Sequence, residues 1–411
     1  MIQLNKGEIE ITHLELMKDI YYIGYVDFEV RNFHGYSTHR GSSYNAYIVK
    51  GEKTVLIDTV KRPYFEYFLQ NIKEVCDPSE IDYFITNHVE MDHSGSFPLI
   101  IEHLPNVEFI ASEKGVEVLK AHFHEEVGDD IFNKIRGVKE GDTLDIGNGK
   151  KFTFVPIPMI HWPDSMVSFM TDENGKNVLF SNDAFGQHFA TTKHWDDEND
   201  LCEIMQEAEK YYANILLHLS GLIAKVLPKV GALPIEIICT SHGICWRSHI
   251  PEILEKYTKW SKGEIDEKSI LIVYDTMWGS TEKIAKALAK EISHRGILVK
   301  RFKLTMADYS DVITEAMKAK AIIVGSPTLN NGLYPTVAEY LSYQRGLRPM
   351  NKIGLAFGSY GWSGQAPQEI ANILKDTKFD VMDEIIKVKF VPKPEDLEFK
   401  EVVDKLIKKM E

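Results

Sequence analysis

The chain has 411 residues, too many for one ordinary hydrophobic core, so two or three domains are expected. Its apolar content of 44% and charged content of 26% are normal for a globular protein and exclude a wholly disordered, collagen-like or coiled-coil chain. A net charge of -14 argues against a broad electrostatic surface for nucleic acid or anionic lipid.

The cysteines and the apolar stretches indicate the cellular compartment in which the protein is expected. Four cysteines without a CxxC pair do not form a disulfide framework or a fused rubredoxin-type iron site, so a reducing cytoplasm is expected. The first eight residues lack the apolar core of a secretory signal. The most apolar stretch, residues 215–227, contains His218 and Lys225 and is shorter than a bilayer span requires, so no membrane association is expected.

Short apolar runs alternate with helix-like segments through the first part of the chain. The runs that read as strands are residues 54–57, 83–85, 152–155, 166–169 and 178–180, and the clearest helical segments are residues 63–75 and 202–227. This pattern predicts a mixed α/β domain with a high sheet content.

The densest chemical signal follows the predicted strand at residues 83–86. His88, Glu90, Asp92 and His93 offer four metal ligands within six residues. Residues two apart in an extended chain point the same way, so the first three can share one side of the loop. Four such groups rarely crowd a short loop without a metal, and we interpret the cluster as a metal site.

Three further candidate ligands occupy a common position. His161, Asp183 and His242 each lie just past the end of a predicted strand, where α/β folds gather functional groups. Taken singly, such a residue is more often an ordinary hydrogen-bonded loop residue. Together with the cluster they make seven ligands, enough for two metals with a bridging carboxylate. Imidazoles and carboxylates without thiolate suit non-haem iron or manganese better than structural zinc.

A polar, charged stretch at residues 257–268 reads as a linker, and it divides the chain into predicted domains at residues 1–262 and 268–411. After it, an apolar run at residues 269–274 is followed by a helical segment at 282–295. Further apolar runs begin near residues 298, 321 and 352, and the chain ends in an amphipathic segment at 394–410. Alternating strands and helices predict a doubly wound parallel α/β domain.

Three loops at predicted strand ends of the second domain are suited to a flat phosphate-bearing ligand. Hydroxyl groups and backbone N–H groups at a strand-to-helix turn bind phosphate, and the absence of GxxxxGK[ST] and GxGxxG motifs disfavours a triphosphate or a dinucleotide. The candidate residues are Thr276, Met277, Trp278, Gly279, Ser280, Thr281, Pro327, Thr328, Leu329, Asn330, Ser359, Tyr360, Gly361, Trp362 and Gly364.

These motifs resemble a known family. The second half resembles flavodoxin through the three loops, and the first half resembles the metallo-β-lactamase fold. The hydrolases of that fold carry His where this chain has Glu90; the Glu-bearing motif with the segments at residues 161–165, 182–183 and 241–243 is similar to the flavodiiron proteins. The resemblance implies an N-terminal αββα sandwich followed by a flavodoxin-like doubly wound parallel sheet.

The resemblance also implies function. It implies a cytoplasmic oxidoreductase that reduces dioxygen to water, nitric oxide to nitrous oxide, or both, with FMN and two non-haem irons as cofactors. His88, Glu90 and His161 would hold one iron, and Asp92, His93 and His242 the other, with Asp183 bridging; His93 and His161 do not ligate in every member. It implies a head-to-tail homodimer or dimer of dimers, and a separate donor, rubredoxin or a reduced deazaflavin coenzyme.

Two other functions remain open from the residues alone. One is a dinuclear metallo-hydrolase with an accessory flavodoxin-like domain, which Glu90 and the intact flavin loops disfavour. The other is an electron-transfer flavoprotein whose metal domain is only a scaffold, which the complete ligand set disfavours. The metal found in the purified protein would distinguish them.

Overall fold

The computed structural model describes residues 14–265 and 267–411. The N-terminal segment considered for a secretory signal, and Asp266 of the predicted linker, lie outside the described residues. The described chain divides into two compact units. The first consists of residues 14–33, Thr38–Tyr211 and Lys225–Glu255, and the second of His34–Ser37, Tyr212–Ala224 and residues 256–411 without Asp266.

Strands of the first part of the chain are short. They are β1 Leu14–Met17, β2 Ile20–Tyr22, β3 Tyr25–Asp27, β4 Asn32–Phe33, β5 Tyr36–Ser37, β6 Ser42–Tyr44, β7 Tyr47–Lys50, β8 Thr54–Ile57, β9 Tyr83–Thr86, β10 Glu108–Ser112, β11 Arg136–Val138, β12 Thr143–Gly147, β13 Lys150–Pro156, β14 Met166–Asp172, β15 Val178–Asn182 and β16 Ile237–Thr240.

Helices connect these strands. They are α1 Phe65–Val75, α2 Met91–Ser94, α3 Phe97–Ile100, α4 Glu113–Val127, α5 Asp129–Phe132, α6 Leu201–Tyr211, α7 Ser220–Gly231 and α8 Ile250–Lys262. Between α6 and α7 the helical path widens into a π-turn at Tyr212–Leu216 and then tightens into a 3₁₀ turn at Leu217–Leu219.

Two sheets form the core of the first unit. One has the strand order β1-β2-β7-β8-β9-β10-β11, and the other has the order β12-β13-β14-β15-β16. Ile57 and Ile85 of the first sheet share one apolar cluster with Phe152 and Phe180 of the second, so the two sheets pack face to face. The opposite face of the first sheet packs on α1 and α4, which gives one helical layer and two sheets of the αββα sandwich that the resemblance implies.

The second unit contains one parallel sheet. Its elements are β17 Ser269–Tyr274, α9 Ser280–Ser293, β18 Leu298–Lys303, α10 Tyr309–Lys318, β19 Ala321–Pro327, α11 Pro335–Leu347, β20 Ile353–Tyr360, α12 Ala366–Asp376, β21 Asp380–Lys389 and α13 Lys400–Met410. The strand order β18-β17-β19-β20-β21 is the doubly wound order of flavodoxin-like sheets, and the predicted fold class is confirmed.

Central strands of this sheet are buried on both faces, which explains their continuous apolar sequence. All seven residues of β19 are buried, as are five of the six in β17. Since β17, β19 and β20 are parallel neighbours, the three loops that follow them emerge at one edge of the sheet.

The stretch read as a linker is only partly a connection. Residues 257–262 complete α8, and Tyr257 and Trp260 are buried, 1% and 6% exposed. The charged residues of this segment belong to the solvent-facing side of an amphipathic helix, which composition alone did not separate from a linker.

The most apolar stretch, residues 215–227, is part of a longer helical run. The helical run Leu201–Gly231 has 31 residues and is long and apolar enough to cross a membrane by length and composition. Core helices of globular proteins pass the same test, and 44% of its most apolar window is buried inside the protein.

Candidate functional sites

The predicted metal cluster begins where β9 ends. His88 and Glu90 lie in the connection after the strand, and the single-turn helix α2 carries Asp92 and His93. The N–H of His93 donates to the carbonyl of Glu90 across 2.9 Å, which closes that turn. His88, Asp92 and His93 are almost completely buried, and Glu90 is 15% exposed at its side chain.

The other three candidates come from the second sheet. His161 lies in the loop between β13 and β14, Asp183 directly follows β15, and His242 follows β16. Because β15 and β16 are parallel neighbours with Asn182 opposite Thr240, Asp183 and His242 leave the sheet at the same edge.

The seven predicted ligands form two groups. His88, Glu90, His161 and Asp183 each offer a ligand atom within 4.8 Å of the others, and Asp92, His93 and His242 do the same. Oε2 of Glu90 lies 3.2 Å from Nε2 of His161 and 3.5 Å from Nε2 of His88. In the second group, Oδ2 of Asp92 lies 3.1 Å from Nε2 of His242 and 3.3 Å from Nε2 of His93.

Asp183 faces both groups. Its Oδ1 lies 3.1 Å from Nε2 of His93 and 3.4 Å from Nε2 of His242. Its Oδ2 lies 3.1 Å from Nε2 of His161 and 3.5 Å from Nε2 of His88. One carboxylate therefore presents a separate oxygen to each group, the arrangement that a bridging ligand requires.

Neighbouring groups fix the orientation of two of the imidazoles. Oδ2 of Asp164 lies 2.8 Å from Nδ1 of His88 and accepts a hydrogen bond from the N–H of Val89. The carbonyl of Ser43 lies 2.6 Å from Nδ1 of His242. In both rings the partner on Nδ1 leaves Nε2 for the site, as is usual for histidines that bind metals.

A glycine completes the turn that carries His242. Gly243 has φ +73°, and a Cβ at this position would overlap with the side chain of Gln187. Its N–H donates to Oγ of Ser43 across 2.7 Å. The turn therefore requires glycine both for its backbone conformation and for the space beside it.

In the metal-free site, neighbouring charges shift the pKa values of the histidines and carboxylates. Burial alone would lower the pKa of His88 and His161, but the adjoining carboxylates raise both to about 10. The pKa of His93 rises to about 9 for the same reason. Burial would raise the pKa of Glu90, yet His161 and His88 lower it to about 2, and the imidazoles also hold the pKa of Asp183 well below its ordinary value. The carboxylates therefore stay negatively charged, and they favour positive charge beside them, either protons on the imidazoles or bound cations.

The donor set fits two metal ions. Nε2 of His88, which faces the first group of ligands, is a buried polar atom without a hydrogen-bond partner. Buried polar atoms normally have partners, and coordination by a metal supplies one for the atoms that face the groups. The groups contain imidazoles and carboxylates and no thiolate, which matches non-haem iron or manganese.

Sequence reasoning missed part of the support around this site. Asp164 lies inside the segment at residues 161–165 but was assigned no role, and Ser43 was not singled out. Asp164 carried a signal, since a carboxylate three residues after a candidate ligand can orient a neighbouring imidazole. Ser43 acts through its backbone carbonyl, which its residue type does not reveal.

The first predicted flavin loop joins β17 to α9. Gly279 precedes the helix with φ +84°, and its N–H donates to Oγ1 of Thr276 across 3.0 Å. The loop thus presents the N-terminal N–H groups of a 14-residue helix beside Ser280. Helix N-termini of this kind favour phosphate.

The three loops contact one another. Oγ1 of Thr281 lies 2.8 Å from Oγ of Ser359, which links the first loop to the third. The N–H of Thr328 donates to the carbonyl of Ser359 across 2.9 Å, and Oγ of Ser363 donates to Oδ1 of Asn331, which links the second loop to the third. The structure therefore brings together the loops that carry the predicted flavin-binding residues.

Burial separates two kinds of residue in these loops. Thr281, Pro327 and Ser359 are buried, so they hold the loops in place. The indole rings of Trp278 and Trp362 are 92% and 85% exposed. Large aromatic rings rarely stand so far into solvent without a ligand or partner, and these two offer stacking surfaces for a flat ring.

Comparison with known proteins gives the same two-part organisation. The family model of the ODP family beta lactamases matches residues 42–243, and the flavodoxin model matches residues 272–401. A nitric oxide reductase from Moorella thermoacetica is 44% identical over 384 residues, which cover 92% of this chain and 94% of that protein.

Solved structures agree over nearly the whole length. The rubredoxin oxygen:oxidoreductase of Desulfovibrio gigas is 38% identical, with a TM-score of 0.92 over 97% of this chain and 98% of that chain. The flavodiiron protein of Giardia intestinalis is 34% identical, with a TM-score of 0.90 over 97% of both chains.

Proposed function

Because this chain belongs to the flavodiiron protein family, we propose that it is an oxidoreductase that reduces dioxygen to water, nitric oxide to nitrous oxide, or both, at two non-haem irons. FMN bound to the second unit would pass electrons from an external donor to this site. The observation that carries the proposal is the position of Asp183, whose two oxygens face two separate groups of ligands.

Each group would hold one iron. His88, Glu90 and His161 would hold the first, and Asp92, His93 and His242 the second, with Asp183 between them. The positions of His93 and His161, each with Nε2 3.1 Å from an oxygen of Asp183, support both as ligands in this chain.

Irons held by these two groups would supply binding of the gas and electrons for its reduction. The surrounding residues keep the ligands in place: Asp164 fixes the ring of His88, and Ser241 donates from Oγ to Oδ1 of Asp183 across 2.9 Å. Burial of nearly all ligands excludes bulk water, which strengthens the electrostatic interactions at the site.

FMN would bind at the three loops of the second unit. The turn at residues 276–281 would hold the phosphate with hydroxyl and backbone N–H groups, while residues 327–330 and 359–364 would flank the ring. The two exposed indoles, Trp278 and Trp362, support stacking of the isoalloxazine. The absence of a lysine from the phosphate turn suits a monophosphate.

The family resemblance supports three further features. The protein would be cytoplasmic, and it would form a head-to-tail homodimer or a dimer of dimers in which the FMN of one subunit lies beside the irons of the other. The donor would be rubredoxin, or a reduced deazaflavin coenzyme; a solved relative is named a rubredoxin oxygen:oxidoreductase.

Elemental analysis and the visible spectrum of the purified protein test the proposal, together with anaerobic mixing of the reduced protein with each gas. Two irons and one FMN per chain, with consumption of dioxygen or nitric oxide, are the expected result. Two zincs, or no flavin, would contradict it and favour the dinuclear hydrolase. Glu90 and the ordered flavin loops favour the reductase.

A further inference from the structure

A chain of four tyrosine rings leads away from the candidate metal site within the first unit. The ring of Tyr44, which is fully buried, lies edge-on to His242 at 6.0 Å between centroids. Tyr64 stacks on Tyr44 at 5.6 Å, and Tyr25 stacks on Tyr64 at 3.9 Å with an interplanar angle of 13°. Tyr67 follows at 5.3 Å. The outer three rings are half-buried, so the series runs from the core toward the surface.

The two inner tyrosines have opposite electrostatic environments. Nζ of Lys61 donates to Oη of Tyr44 across 3.0 Å and lies 4.8 Å from the centroid of that ring. A cation in this position disfavours removal of an electron from the ring. Oη of Tyr64 donates to Oδ2 of Asp27 across 2.6 Å, a short bond to a carboxylate.

Asp27 is placed to accept a proton. It is 6% exposed, and its other oxygen, Oδ1, accepts hydrogen bonds from the N–H groups of Glu29 and Val30 at 3.0 Å. These bonds hold the carboxylate beside Tyr64, whereas the hydroxyl of Tyr44 lies 3.4 Å from Oδ2. A phenol that loses an electron also loses its proton, so oxidation is favoured at Tyr64 over Tyr44.

The geometry points to an auxiliary electron path: Tyr64 supplies an electron to the metal site through Tyr44 and His242 when FMN delivers one electron too few. This inference rests on the proposed function, because dioxygen undergoing reduction at the irons is the oxidant. The electron leaves the phenol of Tyr64, whose O–H bond breaks, and the proton moves to Asp27.

The reaction balances. Dioxygen, three electrons and four protons from solvent, together with one tyrosine O–H and the carboxylate of Asp27, give two waters, one neutral tyrosyl radical and protonated Asp27. The fourth electron comes from Tyr64, and the phenol proton stays on Asp27. The radical then rests away from the metal site, beside Tyr25 and Tyr67, until one electron from the external donor and the proton held by Asp27 restore the phenol. Incomplete reduction of dioxygen is thereby completed, and release of a partly reduced product is avoided.

Electron paramagnetic resonance tests this path. The iron- and FMN-loaded protein is reduced to one electron short of four equivalents, mixed with dioxygen and frozen within milliseconds. The expected result is a tyrosyl radical signal in the unmodified protein that is lost in Tyr64→Phe. Tyr44→Phe keeps the ring between Tyr64 and His242 and should keep the signal, whereas Tyr44→Leu removes that ring and should diminish it. Tyr83→Phe, which alters a half-buried tyrosine at the start of β9, should keep the signal.

Each other outcome has a definite meaning. If the fully reduced protein consumes dioxygen but gives no radical under electron limitation, or if Tyr64→Phe gives the same signal, the electron path is wrong and the proposed function stands. If the fully reduced protein consumes neither dioxygen nor nitric oxide, the proposed function is wrong and the path falls with it. Asp27→Asn gives a second check, because it keeps all four rings but removes the charged proton acceptor, and it should diminish the radical.

Discussion

Oδ2 of Asp164 and Nδ1 of His88 lie 2.8 Å apart, and both side chains are completely buried at this contact. This contact selects the ring nitrogen that faces the metal site, and the carboxylate also makes the imidazole a stronger ligand. Asp164 thus belongs to the machinery of the site although it offers no ligand atom to either group.

Replacing Asp164 should weaken metal binding. We expect Asp164→Ala to lower the affinity for Fe(II) by about 10- to 100-fold, because the ring of His88 loses its orientation. Asp164→Asn should lose less, since an amide oxygen can still accept the bond. Competition with a chelator measures both. Equal affinities in the unmodified protein and in Asp164→Ala would show that packing alone orients the ring.

Replacing Glu90 tests the first group of ligands directly. We expect Glu90→Ala to lower the iron content and to reduce gas consumption by about 100-fold or more. This loss should exceed that in Asp164→Ala, because Glu90 is a ligand whereas Asp164 only orients one. The FMN content should not change, since the flavin loops lie in the second unit. Glu102→Ala, at an exposed glutamate, is the matched control. Normal iron and turnover in Glu90→Ala would contradict the assignment.

Metal uptake should release protons. Neighbouring carboxylates raise the pKa of His88 and His161 to about 10 in the metal-free site, against the opposing effect of burial, so these rings hold protons at pH 7. Iron requires the neutral imidazole and displaces those protons. The affinity for Fe(II) should therefore rise with pH up to about 9 to 10. Titration of metal-free protein with Fe(II) in weak buffer measures the release of protons. Protein that already holds iron should release none.

The exposed indoles should contribute to flavin affinity. We expect Trp278→Ala or Trp362→Ala to weaken FMN binding by about 0.5 to 1.5 kcal/mol each, or roughly 2- to 10-fold, through lost stacking. Fluorescence titration of flavin-free protein measures the change. Leu298→Ala removes an exposed apolar side chain, 44% exposed, at the start of β18 and the opposite edge of the sheet, and should leave FMN affinity unchanged. Equal losses in all three variants would point to general destabilisation.

A buried lysine should make the stability of the second unit depend on pH. Burial, with a smaller contribution from Lys320, lowers the pKa of Lys352 from 10.5 to about 7. Between these values the unfolded chain binds more protons than the folded one, so the free energy of unfolding should increase as the pH rises from about 7 to about 10.5.

Denaturant unfolding at a series of pH values isolates this effect. Lys352→Met should flatten the rise, whereas Lys375→Met, at an exposed lysine, should leave it unchanged. The absolute stability of Lys352→Met can fall, because Nζ of Lys352 donates to the carbonyls of Met317 and Ala319 at 2.6 Å. The decisive quantity is therefore the slope, and an unchanged slope would contradict the lowered pKa.

Strand-end positions could be predicted because their sequence patterns are local. The apolar run before His88 and the runs before Asp183 and His242 are each short and end in polar residues, so both the strand and the position of the ligand are visible. The parallel strands of the flavin-binding unit were equally clear, since burial on both faces makes their sequences continuously apolar.

Other features depend on contacts between distant residues. Ser43 approaches His242 across 199 positions of sequence, and Tyr44, Tyr64 and Tyr25 become a stacked series only when β3, β6 and the start of α1 are packed. No local pattern marks these partners. The end of α8 was misread for the opposite reason: its local composition resembled a linker, while Tyr257 and Trp260 pack into the core.

The two groups of ligands draw on both sheets of the first unit: the loop after β9 belongs to one sheet, and the ends of β13, β15 and β16 to the other. Iron can therefore bind tightly only to a chain whose two sheets have already come together, and its binding free energy is added to that of folding by mass action. A cell short of iron would accumulate a less stable form of the protein, which unfolds more often and is exposed to proteolysis. Iron supply would then set the abundance of this protein as well as its activity.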